Sequence, residues 1–369
     1  MLSIIIPVYN GEAFIRDTIN GIFSCSSNDI EVIAINDGST DSSEEILVSI
    51  SEKDNRLKVY SRDNSGVANS RNFGIEKATG EFIAFVDQDD VIKCHTFEKM
   101  IGELERTKSD MAICSSARLL DGEELVLEIQ NDNIYRSDEI LKSLILPIFL
   151  RSFDNPYTNT VDRFFHIWNC LFRRDFIVEK NIRFRSYVNY EDDLLMKIDA
   201  LSHAEKVVTI KDVGYLWRVN TSSESYAHHF VQQIGERQTR CYEDIKTSLL
   251  NTSVDSETMK WIEASIYTTH YLDAMHNLTS KEFKKSRKII CDYCTSNVYE
   301  RKMDDVAWIA QYAKDGWIRL KVLLPLLIKR QSLRAYYMEC IIEKLLNMQV
   351  RYKNLFVLEK KIKSINKKK

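Results

Sequence analysis

The 369-residue sequence has no apolar run long enough to cross a lipid bilayer. Its longest run, LKVLLPLLI at 320–328, falls well short of the ~20 residues that a transmembrane helix needs, and Pro325 interrupts it. The hydrophobic fraction of 44% and the charged fraction of 28% lie near globular averages, which excludes a disordered chain as well as a membrane-embedded one. We therefore expect a folded protein without a membrane-spanning helix.

Two common catalytic motifs are also missing. The sequence contains no glycine-rich phosphate loop of the P-loop or dinucleotide-binding type, and no set of Ser, His and Asp stands out. A nucleotidyltransferase would normally carry such a loop near its N-terminus, where this chain has PVYNGEAF.

The eight cysteines are scattered, and they lack the paired spacing of a zinc or redox centre. Cys291 and Cys294 form the one C-x-x-C, in a stretch with a helical pattern. No signal peptide precedes the first predicted strand, in MLSIIIPVYN. These features predict a reducing, cytoplasmic location in which the cysteines act as small apolar residues.

The net charge of −3 is unevenly distributed, because residues 351–369 carry eight Lys or Arg and one Glu. A basic end on an acidic body suggests binding to anionic lipid or phosphate, and hence a peripheral position on the inner face of the cell membrane. A merely solvated lysine-rich end explains the same charges. The sequence leaves both interpretations open.

The first hundred residues alternate between two patterns. The apolar runs LSIIIPVY, IEVIAIN, RLKVYS and EFIAFV predict buried strands, and the segments between them predict helices. The middle, about 110 to 227, is mixed: DMAICSSARLL and EELVLEI predict a strand pair, and a helix followed by another strand pair is expected over 190–220. The remainder is almost entirely helical in pattern. An α/β fold with a mostly parallel sheet is expected.

Polar clusters follow each of the four N-terminal strands, namely PVYN, NDGSTD, RDNSG and DQDD. Ligands of parallel sheets bind beyond the carboxyl ends of the strands, so a shared crevice is favoured over four ordinary turns. In the last cluster, Asp87 and Asp89 suit a hard cation such as Mg²⁺ or Mn²⁺ that carries a diphosphate. Asp90 fits a helix cap equally well.

The charged side chains at three further places in the sequence each have more than one possible role. Asp37 can accept a hydrogen bond from a nucleobase or cap the helix that starts near residue 42. Arg71 can pair with the acids after the fourth strand or reach a phosphate oxygen. The acids of YEDDLL, at 190–195, open a helix, where carboxylates are stabilised without any catalytic role.

Seven stretches in order, IIIPVYN, NDGSTD, NSGVANSRNFGI, FVDQDD, HIWNCLFRRDFI, YEDDLL and YLWRVNTSS, resemble the family 2 glycosyltransferases, inverting enzymes of the GT-A fold. The resemblance covers roughly residues 1–225 and is of the bacterial surface-polysaccharide type. It implies a Rossmann-like GT-A catalytic domain over 1–227, with nucleotide-sugar binding in 1–110 and the acceptor side in 111–227. A helical C-terminal region with a basic tail would occupy 228–369.

The resemblance also implies roles for individual residues. Asp192 would be the general base, and Glu191 would contact acceptor hydroxyls. Asp89, together with Asp87, would hold Mn²⁺ or Mg²⁺. The implied nucleotide-sugar pocket is Pro7, Tyr9, Asn10, Asp37, Asn64, Gly66, Arg71 and Asp87, and the implied acceptor residues are Trp168, Arg218 and Ser223.

Three positions depart from the family pattern. Ser70 stands where Ala is usual, and Cys170 where many relatives carry Lys, so an acceptor contact at 170 is not expected here. Asp193 stands beside Asp192, so the sequence does not decide which of the two is the general base.

The implied activity is transfer of a sugar from a nucleotide-diphosphate sugar, most commonly a UDP-sugar, to a hydroxyl of a glycan. A lipid-linked oligosaccharide of capsule or O-antigen synthesis is the expected acceptor, and nucleic acid is not an expected partner. A nucleotidyltransferase and a catalytically silent nucleotide-sugar-binding module are the alternatives. The second would predict damage to a motif acid, and the sequence shows none.

Overall fold

The computed structural model describes residues 1–25, 29–120, 122–128, 130–157, 166–187, 192–219, 231, 233–278, 303–314, 323, 325–326 and 334–342. The chain divides into two compact units. The first consists of Met1–Arg151, Pro156–Ser223 and Arg237–Thr258, and the second of Ser152–Asn155, Glu224–Glu236 and Met259–Lys369. Among the described residues, no helix is long and apolar enough to cross a membrane.

Ten strands are present in the described part of the chain. They are β1 Leu2–Val8, β2 Ile30–Asp37, β3 Leu57–Arg62, β4 Phe82–Phe85, β5 Val91–Ile92, β6 Met111–Leu120, β7 Glu123–Glu128, β8 Asn133–Arg136, β9 Cys170–Arg173 and β10 Lys206–Arg218. They form one sheet in the order β3-β2-β1-β4-β9-β6-β10-β5, with β7 paired to β6 and β8 to β10.

The helices lie between these strands and after them. They are α1 Ile15–Phe23, α2 Ser43–Ser51, α3 Val67–Lys77, α4 Cys94–Thr107, α5 Asp138–Ile140, α6 Leu146–Leu150, α7 Arg174–Glu179, α8 Asp192–His203, α9 Ile234–Leu249, α10 Ser256–Asn277 and α11 Met303–Ile309. A π-helical turn, Leu141–Ile145, joins α5 to α6, and a 3₁₀ turn, Ala310–Tyr312, follows α11.

The four N-terminal strands are parallel to one another, as predicted. Every residue of β2 is buried, because helices cover both faces of this half of the sheet. On α1, Ile15, Ile19 and Ile22 form the buried face that the spacing of apolar residues predicts. The expected α/β fold with a mostly parallel sheet is confirmed.

Beyond β4 the sheet becomes mixed. Strand β9 is antiparallel to both of its neighbours, β4 and β6, whereas β6 and β10 are parallel. The predicted pairing of β6 with β7 is confirmed. The prediction of a strand pair after α8 was wrong, because Lys206–Arg218 forms one long strand. The polar residues near the middle of this strand coincide with two shifts in its register against β6. A bulge absorbs the irregularity without ending the strand.

Two cysteines differ from the expectation that all eight act as separate apolar side chains. Cys25, just after α1, and Cys94, the first residue of α4, form a disulfide across 69 residues of sequence. This link ties the end of α1 to the start of the helix that follows the acidic turn after β4. Cys291 and Cys294 lie outside the described residues, as does the basic tail at 351–369.

Glu31, near the start of β2, is a buried acid at the amino ends of the strands, opposite the end that carries the polar clusters. Its Oε1 atom accepts hydrogen bonds from Ser3 Oγ at 2.6 Å and from Thr79 N at 2.7 Å, and its Oε2 atom pairs with Lys58 Nζ. Burial acts to raise the pKa of Glu31, but the hydrogen bonds from Lys58, Ser3 and Thr79 outweigh it and lower the pKa to about 2.

Glu31→Gln should lower the free energy of unfolding by about 2–3 kcal/mol at pH 7, because the amide loses the ion pair with Lys58 and turns an NH₂ group towards donors. In the wild type, the folded pKa lies below the ordinary value of 4.5, so this contribution is present above that pH and is lost as the pH falls towards 2. Urea unfolding across pH 2–8 measures it, with exposed Glu45→Gln as control. Equal stability of Glu31→Gln and wild type at pH 7 would contradict the prediction.

Candidate active site

The carboxyl ends of β1 to β4 meet at one edge of the sheet. The strand register places Val8 of β1 beside Asn36 of β2, and Asp37 beside Arg62 of β3. Strand β4 pairs with β1 on the other side, so the acidic turn at 87–90 emerges at the same edge. The prediction that these four strand ends lie together is confirmed.

Helix α3 lies directly against the sheet, because Gly74 leaves no side chain between them. A Cβ atom on Gly74 would lie 2.3 Å from the Ile5 side chain. Arg71, three residues earlier on the same helix, is buried as well. The close approach of α3 thus carries a guanidinium into the interior at the edge where the strands end.

Arg71 contacts three carboxylates at once. Its Nη2 atom lies 2.9 Å from Asp87 Oδ1, and its Nη1 atom lies 3.0 Å from Asp192 Oδ2 and 2.7 Å from Asp193 Oδ1. The guanidinium also lies over the ring of Phe184, 5.0 Å from its centroid. Pairing of Arg71 with an acid after β4, one of its two predicted roles, is confirmed, and contact with a phosphate stays a prediction.

The two neighbouring acids at the start of α8 differ in their surroundings. Asp193 has both oxygens engaged, since Oδ1 contacts Arg71 and Oδ2 accepts a hydrogen bond from Ile167 N at 3.2 Å. Asp192 contacts Arg71 through Oδ2. Burial and the nearby Asp193 raise the pKa of Asp192 to about 7, although Arg71 acts to lower it. The choice of Asp192 over Asp193 as the general base stays a prediction.

Asp90 is not a helix cap, which corrects one interpretation of the sequence. Its side chain is fully buried, and α4 begins only at Cys94. The carboxylate accepts a hydrogen bond from Arg218 N at 2.8 Å and lies 2.6 Å from the Tyr215 hydroxyl. The same hydroxyl accepts a hydrogen bond from Asp87 N at 3.1 Å. Asp90 and Tyr215 therefore anchor the acidic turn to β10.

Asp37 holds a loop and does not cap a helix, so the capping interpretation was wrong. Its carboxylate accepts hydrogen bonds from Ser65 N at 3.0 Å and from Gly66 N at 2.8 Å. Gly38 has a φ of +72°, and a Cβ atom there would lie 2.8 Å from Asn64 N, so glycine permits this close approach. Asp37 thereby shapes the loop of Asn64 and Gly66, and its contact with a nucleobase stays a prediction.

The loop after β1 is held by polar contacts. Asn10 has a φ of +50°, and its Oδ1 atom accepts a hydrogen bond from Thr40 N at 2.8 Å. Tyr9, before it, is 42% exposed, and its contact with a nucleotide stays a prediction. Pro7 is partly buried within β1. The loops after β1 and β2 are therefore joined at the predicted nucleotide pocket.

Trp168 lies behind the surface of the site. It is 4% exposed and is stacked between His166 and Tyr215, with ring centroids 4.6 Å and 4.3 Å away. A side chain with so little exposed surface forms the wall of the site in this structure, and its direct contact with an acceptor stays a prediction. Arg218, also assigned to the acceptor side, places its guanidinium 5.3 Å from the ring centroid of Phe14.

A buried polar network behind Trp168 was missed in the sequence. Lys197 of α8 is 2% exposed and donates to His166 O at 3.0 Å. Asn169 Nδ2 lies 3.2 Å from Glu128 Oε2, and Asn169 Oδ1 lies 3.5 Å from Lys197 Nζ. A charged residue within the apolar run LLMKIDAL was the one signal for it. The network fixes the turn at 166–170 against α8, which carries Asp192.

Two predicted site residues, Glu191 and Ser223, lie outside the described residues. For the metal, the described residues contain no group of three or more His, Cys, Asp or Glu side chains that would form a centre by themselves. Asp87 and Asp89 are partly exposed carboxylates on one turn. Mg²⁺ and Mn²⁺ are commonly held by one or two carboxylates with water and phosphate, so these donors fit a dication that arrives with a diphosphate.

Comparison with known proteins identifies the family. Residues 3–179 match the model of glycosyl transferase family 2. Residues 3–179 of the chain belong to this family. Two relatives from Bacillus subtilis (strain 168) are the uncharacterized glycosyltransferase EpsJ, 27% identical over 225 residues, and the putative glycosyltransferase EpsH, 30% identical over 227. Each match covers 60% of this chain and 62% of the relative, so the chain spans less than two thirds of their length.

Solved structures support the fold. The family 2 chain is similar to S. aureus TarS 1–349 in complex with UDP-GlcNAc, with a TM-score of 0.65 and 19% identity over 92% of this chain and 90% of that one. TarS 1–349 in complex with UDP gives a TM-score of 0.61 at 20% identity. At this identity the likeness establishes the fold alone.

Tyr215→Phe should weaken the anchoring of the acidic turn, because it removes the hydroxyl shared by Asp90 and Asp87 N and leaves a buried carboxylate short of a partner. We expect a loss of about 1–3 kcal/mol in the free energy of unfolding, measured by urea titration. Tyr60→Phe is the matched control, since the half-buried Tyr60 hydroxyl forms no hydrogen bond within the described part of the chain. If both variants lose the same stability, the shared hydroxyl is not an anchor.

Proposed function

We propose that this family 2 chain is a metal-dependent inverting glycosyltransferase, which moves a sugar from a nucleotide-diphosphate sugar to a hydroxyl of a glycan. The observation that carries the proposal is the Arg71 guanidinium, which joins Asp87 of the donor-side turn to Asp192 of the predicted base. Family membership and the likeness to TarS, whose structures hold UDP and UDP-GlcNAc, support a UDP-sugar as donor.

The chemistry requires a base opposite the leaving group. The bond from the anomeric carbon to the diphosphate oxygen breaks, and the nucleoside diphosphate leaves with the electron pair. The acceptor hydroxyl forms the new bond and loses its proton to the carboxylate of Asp192, so configuration inverts in one displacement. A pKa near 7 lets Asp192 take up a proton at neutral pH, and Arg71 and Asp193 orient it.

The leaving diphosphate needs positive charge on the donor side. A dication held by Asp89 and Asp87 would supply electrostatic stabilisation of that leaving group. In the described structure, the Arg71 guanidinium is already shared among three carboxylates. Tyr9, Asn10 and the loop held by Asp37 would bind the nucleoside.

The proposal also assigns roles to larger segments of the chain. Residues 1–110 would bind the donor, 111–227 the acceptor, and 228–369 would form a helical region with a basic tail. The basic tail would place the enzyme on the inner face of the cell membrane, where a lipid-linked oligosaccharide of capsule or O-antigen synthesis is the acceptor. Liposome flotation with and without residues 351–369 tests this placement.

Asp192→Asn should retain nucleotide-sugar binding and lose ~10²- to 10⁴-fold in turnover, because an amide cannot accept the proton. In the wild type, the active form is the carboxylate, so kcat/KM should fall about tenfold per pH unit below about pH 7 and level off above it. Product formation measured over pH 5.5–9 tests both statements. Asp193→Asn is the comparison, and its kcat/KM should still fall at low pH. If this fall is absent in Asp193→Asn but present in Asp192→Asn, Asp193 is the general base and not Asp192.

Asp89→Ala should abolish most of the gain in UDP affinity that Mn²⁺ provides, because one of the two carboxylates that would hold the ion is gone. Isothermal titration calorimetry of UDP with and without Mn²⁺ measures this gain. Exposed Asp17→Ala, on α1, is the control. Equal Mn²⁺ dependence in Asp89→Ala and wild type would remove the metal role from this residue.

A further inference from the structure

Gln88 stands between the two acids of the turn after β4, and its side chain runs to the opposite loop. Its Oε1 atom accepts a hydrogen bond from Tyr9 N at 3.0 Å, and its Nε2 atom donates to Tyr9 O at 3.1 Å. One amide thus pairs with both backbone groups of a single residue. We infer that Gln88 is a positioning residue that couples the nucleotide-binding loop after β1 to the acidic turn, an inference that rests on the proposed function.

The strand register explains why a side chain is needed there. Strands β1 and β4 pair from Leu2 and Phe82 to Ile5 and Phe85, and Val86 N donates to Ile5 O at 3.0 Å. Beyond that point no backbone pairing joins these two described segments. The Gln88 amide makes the next connection, in place of the backbone groups that a longer ladder would have provided.

Gly11 leaves the space for this amide. A Cβ atom on Gly11 would lie 2.3 Å from Gln88 Oε1 and 2.7 Å from its Cδ atom, closer than such contacts occur. The φ of Gly11 is not positive, so the position requires glycine for space and not for backbone conformation. Gly11 N also donates to Ser43 Oγ at 2.8 Å, which holds the residue in place.

The backbone of the turn is tied to the same side of the molecule. Thr18 Oγ1, on α1, lies 3.0 Å from Gln88 O and 3.1 Å from Asp90 O. The unit of β1 and α1 therefore holds the turn through both the Gln88 side chain and its carbonyl. A shift of the Tyr9 loop on nucleoside binding would be transmitted to Asp87 and Asp89, which flank Gln88.

The consequence is a thermodynamic coupling between two ligands. UDP and Mn²⁺ change each other's affinity by the same factor, and if Gln88 joins the loop to the acids, part of that factor depends on Gln88. A residue that supported only the loop would change UDP affinity equally with and without Mn²⁺. The ratio of the two UDP dissociation constants therefore separates coupling from simple structural support.

Gln88→Asn tests the inference, since it keeps the amide and the charge but is one methylene too short to reach Tyr9. The UDP dissociation constant is measured by calorimetry without metal and with saturating Mn²⁺. We expect the gain in affinity from Mn²⁺ to fall about tenfold, as for the loss of two hydrogen bonds. Gln311→Asn, at an exposed position outside the first compact unit, should keep the wild-type gain.

Gly11→Ala provides a second test that leaves Gln88 unchanged, and thermal unfolding checks that each variant is folded. Gly11→Ala should reduce the gain in UDP affinity from Mn²⁺ to a similar extent. The double variant should lose no more of this gain than either single variant. The inference would be overturned if Mn²⁺ raised the UDP affinity of both single variants as much as that of the wild type. It would also be overturned if the variants lost the same UDP affinity with and without Mn²⁺. A wild-type chain that binds neither UDP nor GDP in the presence of Mn²⁺ would overturn the proposed function itself.

Discussion

The sharing of one buried guanidinium among three carboxylates is the interaction on which the rest of the site depends. Burial alone disfavours a charged arginine, and three buried or half-buried acids without a cation would repel one another. Together they are stable, because Asp87, Asp192 and Asp193 raise the pKa of Arg71 and keep it protonated. The acid of the turn after β4 and the two acids that begin α8 are thereby held in one place.

The fold brings these four residues together from three distant segments of the chain. Helix α3 delivers Arg71 because Gly74 lets it lie directly on β1, and β4 ends where its acidic turn meets that helix. Strand β10 braces the turn from the other side through Tyr215 and the buried Asp90. The turn is thus held by elements on both sides, while Asp87 and Asp89 stay partly exposed.

The regular elements were largely readable from sequence, because buried parallel strands and amphipathic helices have local patterns. The errors occurred where long-range contacts replaced local ones. Asp37 and Asp90 were each interpreted as possible helix caps, yet each binds backbone groups of a different segment. A strand pair was expected after α8, but β10 is one strand, because pairing with β6 absorbs the irregularity near its middle as a bulge. The Cys25–Cys94 disulfide joins two residues that are 69 positions apart in the sequence, and no local pattern shows that they are close.

The sequence by itself determined the family, the order of strands and helices in the first hundred residues, and the clustering of acids after β4, because each of these is written in short contiguous stretches. Only the tertiary structure decided that Arg71 pairs with three acids at once, and where the Gln88 amide is directed. Those answers depend on distances between residues that lie up to 122 positions apart. Such distances are set by packing, which no local pattern encodes.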